Sequence, residues 1–174
     1  LAPLVVAGLY DLQAQLGRLI ASSLRIGIGG LLLLFLAIAF VVARSAPTAV
    51  AMWACLAGIP LVILGTFGHL GVSVDIISSP SANIALAVGA DSMIHLVVRM
   101  RLLAGSGHAD PWREAVRQIG PAVLGATLIV SAGFGIFALS SFPPTRRFGA
   151  AVIIGTATAA AMALLVLPRL GWRA

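Results

Sequence analysis

Five runs of apolar residues, each long enough to cross the hydrocarbon core of a bilayer, dominate this chain. They cover about residues 26–43, 49–67, 81–98, 122–140 and 148–167, and a spanning helix needs about 20 residues. Inside lipid every backbone N–H and C=O must be paired within the protein, which leaves helices and closed barrels as spanning structures. Continuous runs of this length predict helices. The expected fold class is therefore an all-α membrane protein, a five-transmembrane-helix bundle. Composition agrees: 60% of residues are hydrophobic and 9% charged, against roughly a quarter charged in soluble domains. The connections "RSAPT", "HLGVSVDIISSP" and "SSFPPTRR" are short and rich in turn formers.

Two amphipathic stretches flank the spans. Residues 1–25 place Leu9, Leu12, Leu16, Leu19 and Ile20 at helical spacing, which reads as an interfacial lead-in helix on the periplasmic side of the first span. Residues 110–119 form an elbow between the third and fourth spans. Asp110 is its expected N-cap and Pro111 its first helical residue. Trp112, Ala115, Val116 and Ile119 share one face, Arg113, Glu114, Arg117 and Gln118 the other. Gly120 and Pro121 are expected to end it.

The charges set an orientation. There are 11 basic residues, all arginine, and 5 acids, for a net charge of +6. Arg44, Arg99, Arg101, Arg113, Arg117, Arg169 and Arg173 fall on one side of the spans; Arg18, Arg25, Arg146 and Arg147 fall on the other. The richer side is expected to be cytoplasmic, with the C-terminus there. Trp53, Trp112 and Trp172 lie near that boundary, as interfacial anchors would. The arginines form no cluster interleaved with aromatics, so nucleic acid is not an expected partner; the bilayer is. Arginine as sole strong base, with abundant Ala and Gly, suggests a bacterial source. A chain starting at Leu1 reads as a fragment.

Asp91 is the one acid within any of the five runs. It lies eight residues before Arg99, so about 12 Å deep at 1.5 Å per residue. Charge in mid-bilayer costs on the order of 2.5–3.5 kcal/mol on insertion scales, and burial favours a neutral carboxyl able to take up and release protons. His95 stands one turn along on the same face, and Ser92 adds an adjacent hydroxyl. These three are the proton-coupling candidates. The competing reading is a buried polar pair that only glues helices, worth about 1–2 kcal/mol. Thr127 and Ser131 share a face of the fourth span and are candidates for the same polar pocket, although such hydroxyls often bond their own helix. Small residues recur every fourth position at Ser81, Ala85 and Gly89, and at Gly155, Ala159 and Ala163; these are expected helix-packing seams. Pro60 is expected to kink the second span.

No metal-ligand spacing, nucleophile elbow or phosphate loop is present in the sequence. Neither an enzyme nor a cofactor or metal site is expected.

The stretch "SANIALAVGADSMIHLVVRMR", followed by "WREAVRQIGPAVLGATLIVSAGFGIFALSSFPPTRRFG" and "ALLVLPRL", resembles the resistance-nodulation-division (RND) superfamily. The similarity runs from about Ser22 to Leu170 and is closest to MMPL-like, hopanoid-transporter-like exporters. It implies the last five spans of the C-terminal half of a proton-motive-force-driven exporter of lipids or other hydrophobic molecules in a bacterial inner membrane. The N-terminal half and the periplasmic domains would be further partners, and a homo-oligomer is left open. Asp91 matches the family's intramembrane proton-carrying acid, and His95 a position where histidine is common. Ser92 stands where members often have Tyr or a second Asp. Two other readings remain: a sterol-sensing-type lipid-binding regulatory module, and a SecD/SecF-like translocation subunit, whose Asn-Asp and Asp-Arg patterns are absent here.

Overall fold

The structure is a computed structural model that describes residues 9–72, 75 and 78–171. The described residues contain no strand. Five helices are long and apolar enough to cross a membrane: α1 (Leu9–Ala43), α2 (Ala46–His69), α3 (Ser81–Gly105), α4 (Pro111–Ala138) and a composite fifth span over Pro143–Gly171. The last comprises α5 (Pro143–Ala161), a π-helical turn (Met162–Val166) and α6 (Leu167–Gly171).

Local chemistry explains the breaks. Between α1 and α2 the chain reverses at Arg44, which holds a left-handed φ of 51°. Ser45 is then extended and a proline occupies the first turn of α2, where its missing N–H costs nothing. Asp110 caps α4 by accepting the Arg113 N–H at 3.0 Å, as its position at the helix start demands. The π turn lies just ahead of Pro168, whose ring is hard to place over the Leu164 carbonyl four residues back in a regular helix. Leu167 donates to Met162 O, five residues back, which widens that turn.

The two amphipathic stretches differ from expectation in the same way. Residues 9–25 of the lead-in are continuous with the first span as one 35-residue helix. That is about 52 Å long, well beyond a core of about 30 Å. Leu16 and Leu19 are exposed on it; residues 1–8 lie outside the described part. The elbow runs without interruption into the fourth span, because Gly120 and Pro121 are accommodated inside α4 rather than ending it. Its sidedness is as expected: Trp112 and Ala115 are buried, while Arg113, Arg117 and Gln118 are exposed.

α3 is the most enclosed span and α4 the least. α3 packs against α1, α2, α4 and α5; α1 packs on α2 and α3, and α4 on α3 and α5. Its buried face carries Leu86, Ala90, Met93, Leu96 and Val97. The small-residue seams of α3 and α5 pack directly on each other. A Cβ built on Gly89 would lie 3.2 Å from Ala159 Cβ, and one on Gly155 would overlap Ala85 Cβ. Ala85 meets Gly155 as Gly89 meets Ala159, so the two helices run parallel. Outward, Leu33, Val41, Leu61, Leu128, Ile129 and Ile136 are exposed, the surface that a chain in lipid presents.

Candidate functional site: an outward-facing Asp–His pair

The exposed stripe of α3 consists of Ala87, Asp91, His95, Val98 and Leu102. Spacings of three and four residues bring these onto one side of the helix. Asp91 Oδ1 lies 3.4 Å from His95 Nε2, and the two side chains are 74% and 67% exposed. Burial inside this bundle, expected from the sequence, is therefore not what the pair experiences. The most enclosed helix turns its one acid outward, because its opposite face is filled by Leu86, Met93, Leu96 and the Gly89 contact. Asp91 sits ten residues into α3, about 15 Å along its axis.

The remaining candidates do not join that pair. Ser92 points to the buried side, and its hydroxyl donates to Val88 O at 3.0 Å. Thr127 donates to Val123 O at 2.8 Å. Ser131 reaches Thr156 across α4 and α5 at 3.3 Å, and Thr156, fully buried, also donates to Val152 O. Among the described residues, none of these three hydroxyls is hydrogen-bonded to Asp91 or His95. Thr127 and Ser131 thus serve helix backbone and helix pairing rather than a pocket around the acid.

Two polar features escape sequence reading. Asn83 lies two turns before Asp91 against Gly27 of α1, with a buried Oδ1 that has no hydrogen-bond partner among the described residues. Its i, i+8 relation to Asp91 was the available signal. Trp53 donates its indole N–H to Leu32 O at 3.0 Å, about 10 Å along α2 from Ala46. It ties α1 to α2 within the bundle. Trp112 likewise is buried against Gly171, and Trp172 lies outside the described residues.

The arginines gather as the five-span reading expects. Arg101 donates to Val42 O at 2.6 Å and Arg99 to Gln118 Oε1 at 2.5 Å, joining the ends of α1 and α3 to the start of α4. At the opposite end Arg147 pairs with Asp75 at 3.4 Å. Arg44, Arg99, Arg101, Arg113, Arg117 and Arg169 thus occupy one end of the bundle.

Five apolar helices with a polar pair on a mid-span face define a multi-pass membrane domain. The model of the MMPL family matches residues 5–171, nearly the whole chain. The chain belongs to the MMPL family, and its architecture is that of an RND-type transporter membrane domain. None of the curated proteins matches it.

Proposed function

We propose that this chain is the proton-coupling membrane half of an exporter of lipids or other hydrophobic molecules, with Asp91 as the proton carrier and His95 as its partner. The observation that carries this reading is the Asp91–His95 pair, exposed on the bundle surface in mid-span. Lipid is a poor environment for that surface, since each charge there costs on the order of 2.5–3.5 kcal/mol. A second protein surface must cover the stripe, and in the RND architecture that surface is the other half of the transporter. Repeat interfaces near the midplane are where coupling sites are built. Protonation of Asp91 removes the charge and changes which packing of the two halves is favoured; release restores it. Ser92, bonded to its own helix, acts on the position of α3 rather than on the proton. The arginine-rich end faces the cytoplasm of a bacterial inner membrane, following the charge asymmetry.

The test is Asp91→Asn in the protein as its gene encodes it, reconstituted in proteoliposomes with an imposed proton gradient. Gradient-driven export of a fluorescent lipid falls to background, while the amount of folded protein is unchanged. Undiminished transport would sink the coupling role. Loss of lipid binding on mutation at Gly89, with no effect at Asp91, would favour a sterol-sensing-type regulatory module.

A further inference from the structure

At the arginine-rich end, where α4 begins and the fifth span finishes, a groove of about 300 Å³ is lined by Asp110, Trp112, Arg113, Leu164, Leu165, Pro168 and Arg169. We propose that it binds one anionic phospholipid: the headgroup phosphate between the guanidinium groups of Arg113 and Arg169, and the upper part of an acyl chain along Leu164, Leu165 and Pro168.

The chemistry of the walls selects this occupant. The two arginines come from different spans, and both are exposed. The Arg113 side chain has no hydrogen-bond partner among the described residues. Arg169 spends Nη1 on Leu165 O at 3.0 Å, leaving Nε and Nη2 for a ligand. The acids nearby are already engaged. Asp110 accepts the Arg113 N–H as the helix cap, and Glu114 holds Arg117 in a two-pronged pair at 2.7 and 2.8 Å. The helix start itself is thus capped, and the site does not depend on its free N–H groups. Two arginines lining one groove with one committed carboxylate leave a net positive charge, which a phosphate monoanion complements.

The apolar wall distinguishes a lipid from a free phosphate. Leu164 and Leu165 belong to the π turn and Pro168 follows it, so the widened turn forms the side of the groove a soluble anion would not use. The volume has room for a headgroup and the first methylenes, with the rest of the chains left in the bilayer. Basic pockets between spans on the cytoplasmic side are a recurrent headgroup site. The inference stands apart from the coupling role of Asp91, which lies part-way along α3 and does not line the groove.

The protein as its gene encodes it would be placed in phosphatidylcholine nanodiscs containing a minor fraction of phosphatidylglycerol, and retained lipid counted by native mass spectrometry. Wild type retains phosphatidylglycerol over phosphatidylcholine. Replacing Arg113 and Arg169 by Gln lowers that retention roughly fivefold per arginine removed. Arg113→Lys with Arg169→Lys keeps most of it, and Arg146→Gln at the opposite end changes nothing. Leu164→Trp, which fills the acyl notch, also lowers it, and soluble glycerol phosphate does not displace the lipid. Equal retention in the wild type and the double Gln variant would overturn the proposal. So would equal retention of the two lipids, or displacement by glycerol phosphate. Proton-gradient transport by Asp91→Asn is read separately, so failure of one reading leaves the other standing.

Discussion

Ala85 and Gly155 meet across α3 and α5 with no space for another methyl group: a Cβ built on Gly155 would overlap the Ala85 Cβ and lie 2.8 Å from Ile63 Cδ1. Three glycines of the bundle differ in what blocks them, and this predicts a ranking. At Gly149 an added Cβ would lie 2.6 Å from Ala138 N and 2.7 Å from Phe134 O, backbone atoms that cannot step aside. At Gly89 the nearest atom is Ile59 Cδ1 at 2.5 Å, the tip of a flexible side chain. Substitution by Ala is expected to destabilise most at Gly149, less at Gly155 and least at Gly89. The range is about 1–3 kcal/mol for overpacking, measured by unfolding in detergent micelles.

Trp53→Phe removes one hydrogen bond between α1 and α2 while keeping most of the ring volume. The Leu32 carbonyl still serves its own helix, so the expected loss is about 0.6 kcal/mol and no more than about 1.7, the span of interhelical hydrogen bonds in bilayers. The same unfolding measurement checks it. A loss of several kcal/mol would mean that the indole does more than the bond to Leu32 O shows.

Asp110→Ala deletes the α4 cap. The Arg113 N–H then lacks its side-chain acceptor, and the first turn is expected to loosen by about 1 kcal/mol. Amide hydrogen exchange at residues 112–114 should speed up, with exchange in α2 and α3 unchanged.

Asp91→Asn is expected to leave the folding of these five spans nearly untouched, because within the described residues the carboxylate is exposed and meets only His95. Stability and gradient-driven transport should therefore separate at this position. A structural glue residue would lose both together.

The fold class was legible because it depends on a simple quantity, the length of uninterrupted apolar sequence against the thickness of the hydrocarbon core. The α3 and α5 seams were legible for a similar reason, since small residues every fourth position make a flat helix face. Gly149 was not, because its constraint comes from the backbone of α4 at Phe134 and Ala138, which no periodicity in the fifth span reveals. The continuity of the lead-in with the first span and of the elbow with the fourth was not legible either. Glycine and proline near position 120 favour a break locally, yet α4 continues through them, because in lipid an interrupted helix leaves its polar groups unpaired.

For the candidate site, sequence alone determined that Asp91 and His95 share a helix face, because four residues make about one turn. It also determined that a carboxylate in mid-span needs a reason. Which way that face points was decided only by tertiary structure. The buried side of α3 is claimed by Leu86, Gly89, Met93 and Leu96 against its neighbours, so the polar stripe is turned outward and Ser92 is drawn inward to its own backbone. Likewise Arg113 and Arg169, 56 positions apart in the chain, share one groove only because the fifth span ends beside the start of α4. Helical period is a local property of the chain, whereas the direction a face takes depends on all the helices competing to be buried against it.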